Sequence, residues 1–98
     1  MTNKAAEILA SVKRAIREPY AWPGGYPLYV VMSDGESLSL AAARAEWHQI
    51  CRSTIQHARD GWKAAGVDIN WEDGDMYCAH TGERIESAYA EPEDAAPV

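Results

Sequence analysis

The chain has 98 residues, 47% of them hydrophobic, and carries 15 acidic against 9 basic side chains, a net charge of −6. This length suffices for one small domain with a single modest core, which the four Trp and five Tyr would help to fill. The sequence contains no membrane-spanning apolar run, no signal peptide and no disulfide framework. We therefore expect a protein that stays in the cytoplasm where it is made, with Cys51 and Cys78 unpaired.

Charge is distributed unevenly along the chain. Residues 61–98 contain nine acids against Lys63 and Arg84, a net −7, whereas residues 1–60 contain seven bases against six acids, a net +1. An acidic segment repels nucleic-acid phosphates and attracts basic protein surfaces, so direct nucleic-acid binding is not expected of it. The alternative is a solvated acidic face that only keeps the protein soluble.

Residues 1–18 are predicted to form an amphipathic helix, because apolar residues recur every three or four positions and the pattern stops before Pro19. Three cations near its C-terminus, Lys13, Arg14 and Arg17, suit the helix dipole. The alternative for these cations is a phosphate-binding patch. The helix itself is expected to pack on the core, to bind a partner or to form a homodimer.

Residues 19–90 are predicted to form the core domain, which begins with an aromatic loop. Its three rings, Tyr20, Trp22 and Tyr26, lie among two Gly and two Pro, so we expect a structured loop with partly exposed rings. The apolar run from Leu28 to Met32 is followed by turn residues and then by Ser37-Leu38. This pattern predicts a β-hairpin.

One central helix is predicted over about 39–60, with Ser39 as its N-cap and Asp60-Gly61 at its end. The face expected in the core carries Trp47, Ile50, Cys51, Thr54, Ile55 and Ala58.

After Gly66, three apolar residues, Val67, Ile69 and Trp71, alternate with polar ones, which predicts a strand that buries this face. Met76 to Cys78 and Arg84 to Tyr89 are expected to pair as a second hairpin. Residues 91–98 contain too little apolar surface to order and are predicted to be a disordered acidic tail.

The segment Cys78-Ala79-His80-Thr81-Gly82 resembles a C-x-x-C-G zinc knuckle in which Thr81 occupies the second cysteine position. With Asp60-Gly61-Trp62, the segment from Gly66 to Asp73 and the segment from Gly82 to Tyr89, it makes residues 22–91 similar to a group of small, mostly uncharacterised phage and prophage proteins. The resemblance implies an α+β fold of zinc-ribbon or treble-clef layout, with two short β-hairpins around the central helix and an added N-terminal helix. It places Ser39, Ala42, Cys78 and Thr81 at the four ligand positions, so no metal and no other cofactor is predicted.

Two chemical alternatives involve cysteine and histidine. A zinc site rebuilt from His48, Cys51, Cys78 and His80 has suitable ligand types, but nothing in the sequence brings the two pairs together. His48 and Cys51 are three residues apart on a helix and line a surface rather than a pocket, so nucleophilic catalysis is not expected. The chain is therefore predicted to have no catalytic residues and not to be an enzyme.

Protein binding is the predicted function. By analogy with small phage proteins, we expect an inhibitor of host defence, of which an anti-CRISPR protein is one kind, that occupies a basic nucleic-acid-binding surface on a host protein or nucleoprotein complex. The alternatives are a nucleic-acid-associated regulator that uses Lys13, Arg14 and Arg17, and a virion or assembly component that self-associates through the first helix. The predicted partner-binding residues are Asp68, Glu72, Asp73, Asp75, Glu83, Glu86, Trp22, Tyr20 and Tyr26.

Overall fold

A central antiparallel strand of seven residues organises the fold. The computed structural model describes residues 4–21 and 25–89. In chain order they form α1 (Lys4–Arg17), β1 (Tyr20–Ala21), β2 (Tyr26–Met32), β3 (Ser37–Leu38), α2 (Leu40–Ala45), α3 (Trp47–Gln56) and β4 (Ala64–Ile69). The predicted α+β fold class is confirmed.

The sheet is built on both edges of β2. β4 runs antiparallel along one edge, where Val30 lies opposite Val67. β1 and β3 follow each other along the other edge, since Tyr20 lies opposite Pro27 and Leu38 lies opposite Val30. The predicted hairpin between Leu28–Met32 and Ser37-Leu38 is thus confirmed, while the strand expected after Gly66 already begins at Ala64.

Helix α1 lies within the segment predicted to be an amphipathic helix and packs on β4 and α2. Val12 and Ala15 are buried, and Ile8, Leu9 and Ile16 contact the core. That core consists of small and medium side chains from every layer, Val12, Val30, Met32, Leu38, Ala42, Ala43, Ile50, Ala64, Cys78 and Ile85. The apolar stripe of the sequence therefore corresponds to the buried face of this helix.

The central region contains two helices rather than the single one predicted over about 39–60. The break lies at Glu46, whose backbone angles are φ −108° and ψ 27°, although neither glycine nor proline stands there. The second helix ends at Gln56 because His57 adopts the left-handed conformation, with φ 55°. Asp60 lies beyond the helix, where its carboxylate accepts hydrogen bonds from the Ser53 hydroxyl at 2.7 Å and the Trp62 amide at 3.0 Å.

The second hairpin is much shorter than predicted. Tyr77 and Arg84 form a single bridge, and the Ile85 amide donates to the Met76 carbonyl at 2.8 Å. Beyond Ile85 the chain instead runs beside the end of β4, where the Ala88 amide donates to the Asn70 carbonyl. The expected zinc-ribbon or treble-clef layout is therefore not confirmed. The predicted acidic tail at 91–98 lies outside the described residues.

Candidate functional site

Three aromatic rings from distant parts of the chain meet at the start of β2. Tyr26 opens β2, Trp71 follows β4, and Tyr89 lies beside Trp71 because its amide donates to the Trp71 carbonyl at 2.8 Å. The ring centroids of Tyr26 and Trp71 are 4.6 Å apart, and Trp71 and Tyr89 stack at 6.1 Å with an interplanar angle of 12°. We call Tyr26, Trp71 and Tyr89 the aromatic cluster.

The aromatic cluster is open to solvent. Trp71 is 45% exposed and Tyr89 is 60% exposed, while Tyr26 is half-buried beneath them. A hydrogen bond with Tyr26, assisted by partial burial, raises the pKa of the Tyr89 hydroxyl. Exposed aromatic rings that lie side by side form a contiguous apolar patch, which isolated surface residues do not.

Asn70 holds the segments that carry these rings. Its side chain is 2% exposed, and its Nδ2 donates to the carbonyl oxygens of Asp73 at 3.0 Å and Glu86 at 3.1 Å. Its Oδ1 accepts a hydrogen bond from the Asp73 amide at 3.2 Å. The backbone of Asn70 also joins both neighbours, donating to Pro27 at 3.1 Å and accepting from Ala88 at 2.8 Å. One buried amide therefore fixes the turn after β4 and the segment before Tyr89 relative to β2.

Carboxylates lie on the segments that carry the aromatic cluster and on the neighbouring strand. The Tyr20 hydroxyl, whose ring is 40% exposed, donates to Glu86 Oε1 at 2.9 Å, and this hydrogen bond raises the pKa of Tyr20. Burial, followed by the charges of Asp68 and Asp73, raises the pKa of Tyr29, which places both carboxylates near this strand. We call Asp68, Glu72, Asp73 and Glu86 the acidic rim. All four are exposed, and within residues 4–21 and 25–89 none forms an ion pair with Lys or Arg.

The remaining predicted partner-binding residues, Asp75, Glu83 and Trp22, are not part of the aromatic cluster or the acidic rim. The Asp75 amide donates to Asp73 Oδ1 at 2.9 Å, so Asp75 follows the rim in the same turn. Glu83 lies in the same turn as Cys78, whose amide donates to the Glu83 carbonyl. The amide of the next residue, Ala79, donates to the carbonyl of Ser37, which lies opposite Val31 near the other end of β2. That end is about 16 Å from Tyr26, from the rise per residue of a strand. Trp22 lies outside the described residues.

Two residues of this surface, Trp71 and Tyr89, were not predicted from the sequence. Trp71 was assigned to the buried face of its strand, but the strand ends at Ile69, so the alternation breaks and Asn70 is buried instead. The signal in the sequence was Asn70 followed three residues later by Asp73-Gly74, since an Asn side chain often closes such a turn. Tyr89 carried no comparable signal, because its position depends on a contact 18 residues away along the chain with Trp71.

Cys78 lies where the resemblance places a metal ligand. Its Sγ accepts a hydrogen bond from the Ser39 amide at 3.3 Å, and the residue is 2% exposed. The Ser39 Oγ accepts from the Ala42 amide at 3.1 Å, so Ser39 is the N-cap of α2, as predicted. Burial raises the pKa of the Cys78 thiol, but hydrogen bonds with Ser39 and Thr81 outweigh it and lower the pKa to about 7. Cys78 and Ser39 thus hydrogen-bond to each other and to the first turn of α2.

The alternative zinc site of His48, Cys51, Cys78 and His80 is not assembled. In the part of the chain that the structure describes, no three His, Cys, Asp or Glu side chains lie close enough to hold a metal ion. Both cysteines are free, and burial raises the pKa of Cys51, an effect that the charge of Lys13 offsets only in part. His80 instead packs edge-on against Trp62 at 5.0 Å, with its Nε2 3.7 Å from Glu46 Oε2.

No known protein-family model matches the chain, and no curated protein or solved structure is significantly similar to it. The resemblance to phage proteins therefore stays a prediction that rests on the motifs quoted above. None of the described helices is both long and apolar enough to span a bilayer.

Proposed function

We propose that the protein is a small inhibitor that acts by binding another protein, and that the aromatic cluster with its acidic rim is the binding surface. The partner is a nucleic-acid-binding protein whose basic groove this surface occupies. The observation that carries the proposal is the exposed Trp71 and Tyr89 pair, which Asn70 holds in place and whose chain segments also carry exposed carboxylates without a Lys or Arg ion pair among the described residues.

The exposed rings of the aromatic cluster favour a protein-binding surface over an ordinary solvated surface. Trp and Tyr contribute most to the affinity of protein interfaces, because they bury large areas with few rotatable bonds. Here the rings also pack on one another, and Asn70 fixes the backbone beneath them. Their positions are therefore set before a partner arrives, which lowers the entropy cost of binding.

The acidic rim supports a basic partner. Four exposed carboxylates with no Lys or Arg partner in the described chain produce a negative field around an apolar centre. A groove that binds nucleic acid presents Lys and Arg side chains at its surface and matches this field. A protein that fills such a groove excludes the nucleic acid by competition and needs no catalytic group.

The narrower part of the proposal concerns the kind of partner. The resemblance of the motifs to those of phage and prophage proteins favours a partner from host defence machinery that uses nucleic acid, and an anti-CRISPR protein is one kind of such an inhibitor. This part depends on the resemblance, whereas the binding surface depends on the contacts described above.

The test uses three immobilised proteins, the wild type, Trp71→Ala and the control Ile55→Ala, to capture a partner from nuclease-treated bacterial lysate. Ile55 was expected on the core face of the central helix, but it is 61% exposed on α3. It lies outside the aromatic cluster, so its replacement also removes exposed apolar surface. The captured protein is then purified and its binding to DNA or RNA is measured with each variant added. We expect the wild type and Ile55→Ala to block nucleic-acid binding, and Trp71→Ala to be weaker by at least about tenfold.

Charge variants test the rim. Glu72→Gln with Glu86→Gln should slow association several-fold at low salt, and the difference should fade as salt is raised. The control double variant, Glu7→Gln with Glu36→Gln, removes the same charge from exposed sites outside the rim. The proposal fails if the captured partner still binds nucleic acid in the presence of the wild type, or if Trp71→Ala inhibits as well as Ile55→Ala.

A further inference from the structure

A basic groove lies between α1, α2 and α3, on elements separate from the aromatic cluster. Lys13 and Arg17 come from α1, Arg44 comes from α2, and Ile16 and Trp47 form the apolar part of the lining. The cavity between them measures about 250 Å³. We call Lys13, Ile16, Arg17, Arg44 and Trp47 the basic groove.

The charges of this groove are not balanced by the protein. Among the described residues no Asp or Glu lines the cavity, and none forms an ion pair with Lys13, Arg17 or Arg44. Lys13 lies near α3, since it lines this cavity with Trp47 and its charge partly offsets the raised pKa of Cys51. Three converging cations repel one another, and here they do so on a protein whose net charge is −6. An anionic ligand would relieve that repulsion.

The tertiary structure assembles this site. In the sequence Arg17 and Arg44 are 27 positions apart, and the contacts of α1 with α2 and α3 bring them to one cavity. Arg14, which belongs to the same basic run of the sequence, lines a different cavity beside Tyr20 and Leu28. The grouping of Lys13, Arg14 and Arg17 is therefore replaced by Lys13, Arg17 and Arg44 around an aromatic ring.

We propose that the basic groove binds a nucleotide. Its phosphate contacts Lys13, Arg17 and Arg44, and its flat base lies on the exposed part of the half-buried Trp47 ring, beside Ile16. Arg and Lys are the side chains that recognise phosphate, and an aromatic face accepts any base by stacking. The proposal concerns a different site and a different class of ligand from the protein-binding surface.

The size and charge of the site favour a short ligand. A cavity of 250 Å³ accommodates a phosphate and part of one nucleotide, whereas a long strand would continue over a protein of net charge −6, where its phosphates are repelled.

A second copy of the chain, inserting its acidic rim into the groove, would join unlike surfaces. Such head-to-tail contacts extend into open chains unless their rotation closes a ring.

The experiment is a calorimetric titration of the wild-type protein with ADP, with adenosine and with a short single-stranded oligonucleotide. The test variant is Arg17→Gln with Arg44→Gln, and the control is Arg52→Gln with Arg59→Gln, which removes the same charge from exposed positions outside the groove. All four positions are exposed, so the variants are expected to fold, which circular dichroism checks. We expect saturable binding of ADP, weakened at least about tenfold in the test variant and unchanged in the control.

The other outcomes are also decisive. Tighter binding of the oligonucleotide than of ADP, lost in the test variant, supports the site but overturns its preference for a short ligand and assigns the nucleotide to the end of a strand. Binding of adenosine as tight as that of ADP overturns the role of the cations. Equal weakening in both double variants, no saturable binding of any ligand, or self-association that disappears only in the test variant overturns the proposal.

Discussion

Replacing Asn70 with alanine should lower the free energy of unfolding by about 3 kcal/mol, because its three shorter side-chain hydrogen bonds are lost at about 1 kcal/mol each and the fourth, to the Ile85 carbonyl at 3.5 Å, is too long to add much. The three shorter bonds are those to the Asp73 carbonyl at 3.0 Å, the Glu86 carbonyl at 3.1 Å and the Asp73 amide at 3.2 Å. A loss of this size is a large part of the stability of a small domain, which is about 5–15 kcal/mol.

The assay is urea unfolding followed by tryptophan fluorescence, with near-ultraviolet circular dichroism to report the packing of the aromatic cluster. Asn70→Asp is a second variant of nearly equal volume, which places a carboxylate oxygen against the carbonyl oxygens of Asp73 and Glu86. It should be at least as destabilising as alanine at neutral pH. Asp68→Asn, a neighbouring exposed site in β4, is the control and should change stability by less than about 0.5 kcal/mol. A loss below about 1 kcal/mol for Asn70→Ala, with an unchanged aromatic signal, would refute the role assigned to this amide.

Three further predictions concern single contacts. Tyr20→Phe removes an exposed hydrogen bond and should cost less than about 1 kcal/mol. That bond raises the pKa of Tyr20 above its ordinary value of 10.0. The difference in free energy of unfolding between wild type and variant, measured by urea unfolding, should therefore be full below pH 10.0 and vanish as pH rises through the folded pKa. A difference that stays constant with pH would contradict this. Thr81→Val should move the pKa of Cys78 up from about 7 towards 9.0, read from thiolate absorbance in the ultraviolet. In the wild type the contribution of the Cys78 thiolate to stability is full above pH 9.0 and is lost as pH falls through about 7. An unchanged thiolate titration in Thr81→Val would exclude the contact with Thr81. Gly82→Ala should cost about 1 kcal/mol in thermal unfolding. Gly82 has φ 76°, with open space where the added methyl group would lie. The control Gly66→Ala adds a methyl group into equally open space outside the positive-φ region and should be neutral. Equal losses of stability in the two variants would show that the backbone conformation is not the cause.

Local patterns predicted several elements of the fold. The apolar stripe of α1, the hairpin of β2 and β3, and the cap at Ser39 each depend on residues within a few positions of one another. Their hydrogen bonds close over short stretches of chain, so propensity and periodicity are sufficient to indicate them.

The predictions failed where long-range contacts compete with local ones. The break at Glu46 has no glycine or proline to mark it, and the end of α3 depends on the left-handed His57 rather than on Asp60-Gly61. The second hairpin is short because residues after Ile85 hydrogen-bond to Asn70 and Trp71 instead of to the partner strand expected from the sequence. A local sequence pattern cannot predict which partner is preferred, because the competing hydrogen-bond partner is close in space but far along the chain.

The sequence by itself determined the class of fold, the amphipathic first helix, the central hairpin and the excess of acids in the second half, because each follows from composition or from neighbours along the chain. Only the tertiary structure decided which side chains meet. It buried Asn70 and exposed Trp71 beside Tyr89, and it joined Arg44 to the cations of α1. Both surfaces combine residues from segments whose contacts form only when helices and strands pack, and the free energy of that packing is a property of the whole core rather than of any one segment.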